Sequence, residues 1–197
     1  MLSLLFVIVI AYVLGSIPSG LIIGKGIYDV DLREHGSHNI GATNAWRTLG
    51  KIPGVLIFLC DFLKGFISCY IAAVVTGAPL SMALAGVFAI IGHSLSMFLN
   101  FKGGKGVATG LGVIAMLMGN VTIIAFVLWF VIVYFTRYVS LGSCVAALAV
   151  PILAYFFNEP IEFIIFGIIA AALIIVRHKS NIIRLLNGTE SKISAAK

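Results

Sequence analysis

Charged residues are scarce in this chain, and that scarcity excludes the soluble globular classes. Asp, Glu, Lys and Arg together make up 10% of its 197 residues, whereas ordinary soluble domains carry about 25%. Hydrophobic residues make up 61%, and the mean hydropathy is +1.15. The composition therefore predicts an all-α integral membrane protein. Residues 1–197 are expected to form a single polytopic domain in which loops and helix ends supply any active site.

Cysteine pairs and metal-ligand patterns are also lacking. Cys60, Cys69 and Cys144 lie inside apolar runs, with no Cys-x-x-Cys pair and no histidine cluster at metal-ligand spacing. We therefore predict neither a disulfide framework nor a metal, and nothing in the sequence calls for another cofactor.

A cleavable signal peptide is not indicated at the N-terminus. The opening run MLSLLFVIVIAYVLG is apolar, and the first positively charged side chain, Lys25, comes after it rather than before it. A signal peptide has the opposite order. The first helix is therefore expected to be a permanent membrane span with the N-terminus outside.

Apolar runs bounded by charges and turn residues predict seven transmembrane helices. Pro18 is expected to kink the first of them toward the site. The fourth is short, and its assignment depends on the break at Gly119 and Asn120. The predicted spans cover residues 2–24, 53–75, 80–99, 106–118, 121–136, 139–157 and 161–176.

Lys and Arg are concentrated on one side of that arrangement. Of the 13 Lys and Arg residues, 12 fall in connections on the same side, and the remaining one is Lys64. Positive charge marks the cytoplasmic side, so the C-terminus is expected in the cytoplasm. A six-span alternative, with residues 106–136 as one helix, would scatter the charges over both faces. The charged connections are residues 25–52, 100–105, 137–138 and the tail from Arg177 to Lys197.

The first of these connections contains LREHGSHNIGATNAWRTLG, residues 32–50. It mixes Arg, His, Asn and Gly with apolar anchors, and it is too long for a simple turn. Those features favour a functional segment over a solvated surface loop. Asn39, Thr43, Asn44 and Arg47 would form one polar face if the segment coils into a helix.

The run NFKGGKGVATGLG, residues 100–112, places two lysines among glycines just before a predicted helix. Backbone N–H groups of such a loop can converge on an anion at the helix N-terminus, and Lys105 adds charge. It is not a standard nucleotide loop, because the patterns G-x-x-x-x-G-K-[ST] and G-x-G-x-x-G are both absent. A flexible turn with two topology-setting lysines is the alternative.

Two further polar runs lie on the same side, RYVSLGS at residues 137–143 and RHKSNIIRLLNGTE at residues 177–190. If the last span continues as a helix, Arg177, Asn181 and Arg184 share one face. The polar motifs of the chain therefore collect at the cytoplasmic side, where we expect the active site.

Three polar residues are predicted within the spans, a pair in the second span and a histidine in the third. CDFLKG places Asp61 and Lys64 three residues apart in the second span, and an internal ion pair that steadies the bundle is favoured over a reacting group. His93, in GHSLSMF, is closer to the cytoplasmic face and is either a buried polar contact or a site residue.

These elements suit a phosphorylated molecule with an apolar tail, bound with its phosphate against the loops and its hydrocarbon between the helices. A small transporter or flippase for a phosphorylated solute or lipid is the alternative class, since it too would use intramembrane charges and glycine-broken helices. Against a transporter, the polar motifs lie on one face and no inverted repeat is present. No nucleic-acid partner is expected.

Five ordered motifs resemble those of the bacterial acyl-phosphate:glycerol-3-phosphate acyltransferases (PlsY). They are GSHNIGATNAWRTLG, DFLKG, GHSLSMFLNFKGGKGVATGLG, RYVSLGS and RHKSNIIRLLNGTE, and the resemblance covers nearly the whole chain. Ser96 stands where the family commonly has proline, and no polar role is expected of it.

The resemblance implies transfer of a fatty acyl group from acyl phosphate to the sn-1 hydroxyl of glycerol 3-phosphate. The products would be lysophosphatidic acid and inorganic phosphate, in the first step of phospholipid synthesis. The resemblance also implies location in the bacterial cytoplasmic membrane, contact with membrane lipid and a functional link to the enzyme that makes acyl phosphate.

The resemblance assigns site residues as well. Glu190 is expected to be a structural anchor rather than a site residue. Catalytic roles are implied for Ser37, Arg47, Lys105, His178 and Asn181, and substrate binding for Asn39, Gly41, Thr43, Asn44, His93, Gly103, Gly104, Gly106, Thr109 and Ser143.

The expected chemistry needs no covalent intermediate. Acyl phosphate is a mixed anhydride with phosphate as its leaving group, so the site must orient two anions and neutralise charge on the departing one. The His-x-x-x-x-Asp arrangement of other glycerolipid acyltransferases is absent, and so is any Ser, His and acid constellation. The base is therefore either His178 or the substrate's own phosphate, and the resemblance favours the phosphate.

Overall fold

The computed structural model describes residues 1–193, which form helices joined by loops and contain no β-strand. In hydrocarbon a helix satisfies its backbone groups internally, which is why the long apolar runs are helical. Lys197, one of the charges assigned to the cytoplasm, lies outside the described residues. The helices are α1 (Leu2–Ser16), α2 (Ser19–Tyr28), α3 (Ala42–Thr48), α4 (Lys51–Thr76), α5 (Pro79–Ser94), α6 (Val107–Leu117), α7 (Gly119–Thr136), α8 (Val139–Phe156), α9 (Ile161–Arg177) and α10 (Lys179–Leu186), with a 3₁₀ turn at Met97–Leu99.

The all-helical architecture is confirmed, but the number of spans is not settled by helix length. Within residues 1–193, five stretches are long and apolar enough to cross a membrane, and the bent pair of α9 and α10 would make a sixth. Helix α6 is apolar but has only 11 residues, about 16 Å of helix against a hydrocarbon core of about 30 Å. Seven spans, and the orientation of the termini, therefore stay predictions.

Helices α6 and α7 are separate, with a break at Met118. Lys105, just before α6, donates a hydrogen bond to Asn181 at 2.7 Å. The backbone carbonyl of Arg137, just after α7, accepts one from the Ile193 N–H at 2.8 Å. Because both partners belong to the C-terminal segment, the start of α6 and the end of α7 lie at the same end of the bundle. The single continuous helix of the six-span alternative is therefore wrong.

The first span breaks between α1 and α2 at Pro18, as expected, because proline lacks the N–H that would continue the helix. The last carbonyls of α1 are satisfied from other helices instead. The Ser16 carbonyl accepts from the Ser96 hydroxyl, and the Ile17 carbonyl accepts from Lys64 Nζ at 2.9 Å. The expectation that Ser96 has no polar role is therefore wrong, since its hydroxyl joins the end of α5 to the end of α1.

Helices α9 and α10 meet at His178 with a bend of 63°. The continuous last helix considered from the sequence is therefore wrong, and Arg177 and Asn181 do not share one helix face. Arg177, at the end of α9, reaches the loop before α6, whereas Asn181, on α10, contacts Lys105.

The connection between α2 and α4 is ordered around Asn44, which is buried. Its Nδ2 donates to the carbonyls of Leu32, His35 and Asn39 at 2.9, 3.0 and 2.8 Å, and its Oδ1 accepts from the Ser37 N–H at 2.8 Å. One amide thus satisfies backbone groups that the loop cannot pair by itself. Asn39 lies before α3, so it is not part of the polar helix face predicted for this segment.

Small residues let α4 and α6 approach closely. A Cβ added at Gly65 would overlap the Thr109 carbonyl, and one added at Gly112 would overlap the Phe62 carbonyl. Close backbone approach at small residues is typical of packed membrane helices. The start of α6 is therefore held at a defined position beside α4.

The largest apolar core lies among α5, α6, α7, α8 and α9, where Phe166 and Val113 are almost fully buried. Large apolar side chains also cover the outside of the helices, as expected of surfaces that face lipid. Among them are Ile22, Val74, Ile123, Phe135, Tyr155 and Val176.

Candidate active site

A cavity of about 790 Å³ is lined by residues of the first, second and last connections predicted to lie on the cytoplasmic side, and by Val139, Ser140 and Ser143 just after the third. These connections are far apart in the sequence, so their meeting in one cavity supports the assignment of a common site. The predicted site residues that line it are Ser37, Asn39, Gly41, Thr43, Asn44, Arg47, His93, Lys105, Gly106, Ser143, His178 and Asn181.

Three predicted site residues, Gly103, Gly104 and Thr109, are not among those that line the cavity. Thr109 is fully buried where α6 crosses α4. The N–H of Gly103 donates to the Ser94 carbonyl at 3.1 Å, and the N–H of Gly104 donates to the His93 carbonyl at 3.0 Å. The prediction that the N–H groups of these two glycines hold an anion is therefore wrong, because α5 already uses them.

The N-terminus of α6 retains the geometry for binding an anion. Within the described residues, the N–H groups of Lys105 and Gly106 have no acceptor, and the first turn of α6 follows them. Gly106 has a φ of +80°, a left-handed conformation that favours glycine. A helix N-terminus carries partial positive charge and unpaired N–H groups. The N–H groups of Lys105 and Gly106 can therefore donate to an anion, as those of Gly103 and Gly104 cannot.

Arg177 holds the glycine loop from the side opposite α5. Its Nη2 donates to the Gly103 carbonyl at 2.9 Å and its Nε to the Gly104 carbonyl at 3.2 Å. The guanidinium is therefore used to position the loop.

Glu190 organises the polar end of the cavity. Its Oε1 accepts from Asn181 Nδ2 at 2.7 Å and from the Ser140 hydroxyl at 2.8 Å, and its Oε2 accepts from Arg184 Nε at 2.7 Å. Burial favours the neutral acid, but these three donors outweigh it and hold the pKa of Glu190 below its usual range. The carboxylate thus joins α8, α10 and the tail, in agreement with its predicted role as an anchor.

Lys105 lies beside this carboxylate cluster without pairing directly to it. Its Nζ donates to Asn181 Oδ1 at 2.7 Å. Burial lowers the pKa of Lys105 to about 8, and the opposing attraction of Glu190 only partly offsets the cost of burying the ammonium. A phosphate group bound in the cavity would give the Lys105 ammonium a negatively charged partner.

His178 is buried at the bend between α9 and α10 and lines the cavity. Its Nδ1 lies 2.8 Å from the Ile174 carbonyl. A carbonyl can only accept, so Nδ1 carries the proton and Nε2 is the acceptor of the neutral ring. The ring lies beyond the last residue of α9, and burial lowers its pKa to about 4. His178 is therefore neutral near pH 7 and a weak base.

Arg47 places a guanidinium at the cavity wall from α3. Its Nη2 donates to the Ser191 carbonyl at 2.8 Å, so the C-terminal tail passes across it. Its Nε is buried and has no hydrogen-bond partner within the described residues. Arg47 therefore holds an unused donor, and its hydrogen bond to a neutral carbonyl is one that an anion could replace.

Several residues that line the cavity are not predicted as site residues from the sequence. Ser140 lies in a polar run but has no role assigned from the sequence, Trp46 is predicted only as an apolar anchor of its segment, and Arg184 only as part of a polar helix face. Their nearness to the cavity depends on contacts between distant segments, such as the hydrogen bond from Ser140 to Glu190, 50 residues away. The one signal for Ser140 in the sequence is its spacing of three residues from Ser143, which places both serines on the same side of a helix.

The cavity continues from its polar end between apolar helices. Its apolar walls are formed by side chains of α4, α6, α7, α8 and α9. On α9 the lining runs from His178 to Phe166, a separation of 12 residues or about 18 Å of helix. The same space therefore offers cations and hydrogen-bond donors at one end and a hydrocarbon environment at the other. The lining apolar residues include Phe58, Ile114, Ala125, Trp129, Ala147, Val150, Phe166 and Ile174.

Comparisons with known proteins agree with this arrangement. The sequence model of a family described as glycerol-3-phosphate acyltransferase matches residues 5–188. A glycerol-3-phosphate acyltransferase of Fusobacterium nucleatum is 45% identical over 185 residues, which are 94% of this chain and 95% of that protein. Glycerol-3-phosphate acyltransferase 2 of Moorella thermoacetica is 44% identical over 96% of this chain and 97% of its own length.

Two crystal structures of PlsY, described as an integral membrane glycerol 3-phosphate acyltransferase, share the fold. The glycerol 3-phosphate form superposes with a TM-score of 0.94 at 43% identity and covers 98% of this chain and 96% of that chain. The lysophosphatidic acid form has a TM-score of 0.91 at 42% identity, with the same coverage.

Proposed function

The chain belongs to the glycerol-3-phosphate acyltransferase family and is an acyltransferase of the membrane, and from that premise we propose its donor and its regiochemistry. The donor is an acyl phosphate, and the acceptor is the sn-1 hydroxyl of glycerol 3-phosphate. The oxygen of that hydroxyl bonds to the acyl carbon, the bond from this carbon to the phosphate oxygen breaks, and inorganic phosphate leaves. The hydroxyl proton is transferred to a base.

One observation carries this proposal, namely that a single cavity joins a cationic end to a long apolar end. Lys105, Arg47 and the N-terminus of α6 meet at the polar end. Both proposed substrates carry phosphate, and only the donor carries a hydrocarbon chain. The donor therefore lies with its chain between α6, α7, α8 and α9, and its acyl phosphate at the junction with the polar end.

Neutralisation of the departing phosphate is the main electrostatic demand of the reaction. Lys105 and Arg47 supply positive charge to this phosphate and to that of glycerol 3-phosphate, and the N–H groups just before α6 supply donors that need no reorganisation. The cost of burying Lys105 is relieved when a phosphate dianion is bound, so lysine and substrate stabilise each other's charge.

The base in this proposal is the phosphate of glycerol 3-phosphate. Its second pKa is near 6, whereas the pKa of His178 is about 4. A buried ring with a pKa that low is the poorer proton acceptor near pH 7. Nε2 of His178 is instead suited to accept a hydrogen bond from a substrate hydroxyl and so to orient it.

The cellular setting completes the proposal. The polar end of the cavity faces the cytoplasm of a bacterium, the N-terminus lies outside, and the chain crosses the cytoplasmic membrane seven times. Glycerol 3-phosphate enters from the cytoplasm. The acyl phosphate enters from the membrane, and the enzyme that makes it is a functional partner.

The test is phosphate release by the purified protein in detergent. With palmitoyl phosphate as donor, inorganic phosphate should appear only when glycerol 3-phosphate is added, in equal amount to 1-acyl lysophosphatidic acid. Activity with an acyl thioester but not with acyl phosphate would contradict the proposed donor, and a 2-acyl product would contradict the proposed regiochemistry.

A further inference from the structure

Three buried polar side chains, Asp61, Lys64 and His93, meet beneath the glycine loop. Lys64 Nζ lies 2.8 Å from Asp61 Oδ1, with both side chains almost fully buried. His93 Nδ1 lies 3.6 Å from the same Asp61 oxygen. Lys64 also donates to the Ile17 carbonyl at the break after α1. Lys64 therefore links α4 to the break after α1, and the carboxylate of Asp61 faces His93 of α5.

The ring of His93 supports the loop from below. A Cβ built on Gly104 would overlap His93 Nε2, and one built on Gly103 would overlap the His93 backbone carbonyl. Arg177 holds the carbonyls of both glycines from the other side. The loop is thus clamped between one histidine and one arginine, immediately before Lys105.

This contact explains why the loop has two consecutive glycines. Neither Gly103 nor Gly104 has a positive φ, so the backbone there does not itself require glycine. Gly106, with its φ of +80°, is the glycine that the backbone conformation favours. The first two glycines are required by space, one by the backbone of His93 and the other by its ring.

We propose that Asp61, Lys64 and His93 form a positioning unit for the reaction, in which Lys64 fixes the Asp61 carboxylate, this carboxylate faces the His93 ring, and the ring sets the position of the loop that carries Lys105. Asp61 and His93 line the cavity, but this role requires no contact between the substrate and any of the three. This assigns His93 to positioning rather than to the substrate binding that the sequence resemblance implied. The proposal rests on the proposed function only in that Lys105 is taken to contact phosphate.

The position of the glycine loop determines the position of Lys105. A loop that shifts on α5 moves Lys105 and the start of α6 together, because they follow the glycines directly. Displacements of about 1 Å at such groups can cost about 100-fold in rate. Loss of the support should therefore weaken binding of glycerol 3-phosphate even though no group that touches it has been removed.

The test introduces Gly104→Ala and, as a matched control, Gly103→Ala, each in the wild-type chain and in a His93→Ala background. Binding of glycerol 3-phosphate is measured by calorimetry without any acyl donor. In the wild-type chain both substitutions should weaken binding by about tenfold or more. In the His93→Ala background, Gly104→Ala should add less than about twofold, because the ring it would meet is gone. Gly103→Ala should stay costly, because the carbonyl it would meet remains.

The effects of the two substitutions in the two backgrounds are also measured on the melting temperature in detergent, because that measurement needs no ligand. If His93→Ala does not fold, His93→Ser also removes the ring and serves as the second background. An equal penalty for Gly104→Ala in both backgrounds would overturn the proposal. A harmless Gly104→Ala combined with loss of binding in His93→Ala would also overturn it, because His93 would then contact the substrate. Failure of the proposed function appears separately, as a wild-type chain that does not bind glycerol 3-phosphate while the melting temperatures still report the contact.

Discussion

Lys105 and Asn181 are 76 residues apart in the sequence, and the lysine ammonium donates to the asparagine oxygen at 2.7 Å. Asn181 in turn donates to Glu190 at 2.7 Å. The asparagine thus lies between a partly buried cation and a buried carboxylate, so Lys105 is oriented by this network without being neutralised by direct pairing. Its charge remains available for an anionic substrate.

Removal of the Lys105 charge should raise the free energy of the transition state. We expect Lys105→Ala to lower kcat/KM by an amount that corresponds to the loss of about 2–4 kcal/mol of transition-state stabilisation. This is the scale of one pre-organised donor. Steady-state kinetics with both substrates measures the loss. Lys102→Ala is the matched control, because Lys102 lies in the same loop, is exposed and does not line the cavity. Wild-type kcat/KM in a folded Lys105→Ala protein would contradict the role given to the lysine.

The pKa of Lys105 predicts an alkaline limb in the pH profile. Burial lowers this pKa to about 8, so the unliganded lysine is protonated below about pH 8 and loses its charge above it. We therefore expect kcat/KM for glycerol 3-phosphate to fall as the pH rises through about 8. In Lys105→Arg the guanidinium stays protonated, so any activity that remains should lack this limb. An unchanged limb in that variant would assign it to another group.

His178 should affect substrate binding more than proton transfer. In His178→Gln we expect a higher KM for glycerol 3-phosphate and an acid limb of kcat that survives, because the limb belongs to the bound phosphate with a pKa near 6. A His178 base would titrate near pH 4 instead. The measurement is the kcat profile from pH 5 to 8. A flat profile with a chemical step slowed by about 10²–10⁴-fold would return the role of base to His178.

The buried pair of Asp61 and Lys64 should show strong coupling in stability. Lys64→Met leaves a buried carboxylate without its partner and is expected to destabilise the fold by about 3–5 kcal/mol. The double variant Asp61→Asn and Lys64→Met removes both charges and should recover most of that loss. Unfolding in detergent, measured for both single variants and the double variant, gives the coupling. Additive effects would show that the two side chains do not interact.

The predicted topology can be tested by cysteine labelling after removal of the three native cysteines. A cysteine at Gly77 or Glu159 should react with an impermeant reagent applied to intact cells, because both positions are in connections predicted to lie outside. Cysteines at Lys51 and Lys192 should react only after the cells are opened. Labelling of the latter two from outside would contradict seven spans with a cytoplasmic C-terminus.

Most of the site residues named from the sequence line the cavity, but their roles could not be predicted. Asn44 was assigned to substrate binding, and the structure shows its amide engaged by the backbone of its own loop. The N–H groups of Gly103 and Gly104 were expected to hold an anion, and they pair with α5 instead. A polar residue in a motif can serve the substrate or the loop, and the choice depends on neighbours that the motif does not contain.

The sequence by itself determined the membrane class, the break at Pro18 and the accumulation of polar motifs at one end of the bundle. Each follows from local properties, namely the length of apolar runs, the missing proline N–H and the distribution of charge. Only the tertiary structure decided that His93 contacts the glycine loop with Asp61 next to its ring, that α10 bends away from α9 at His178 and that Glu190 accepts hydrogen bonds from three side chains. Those contacts join segments far apart in the sequence, and their partners are set by helix packing, which hydropathy and motif spacing do not encode.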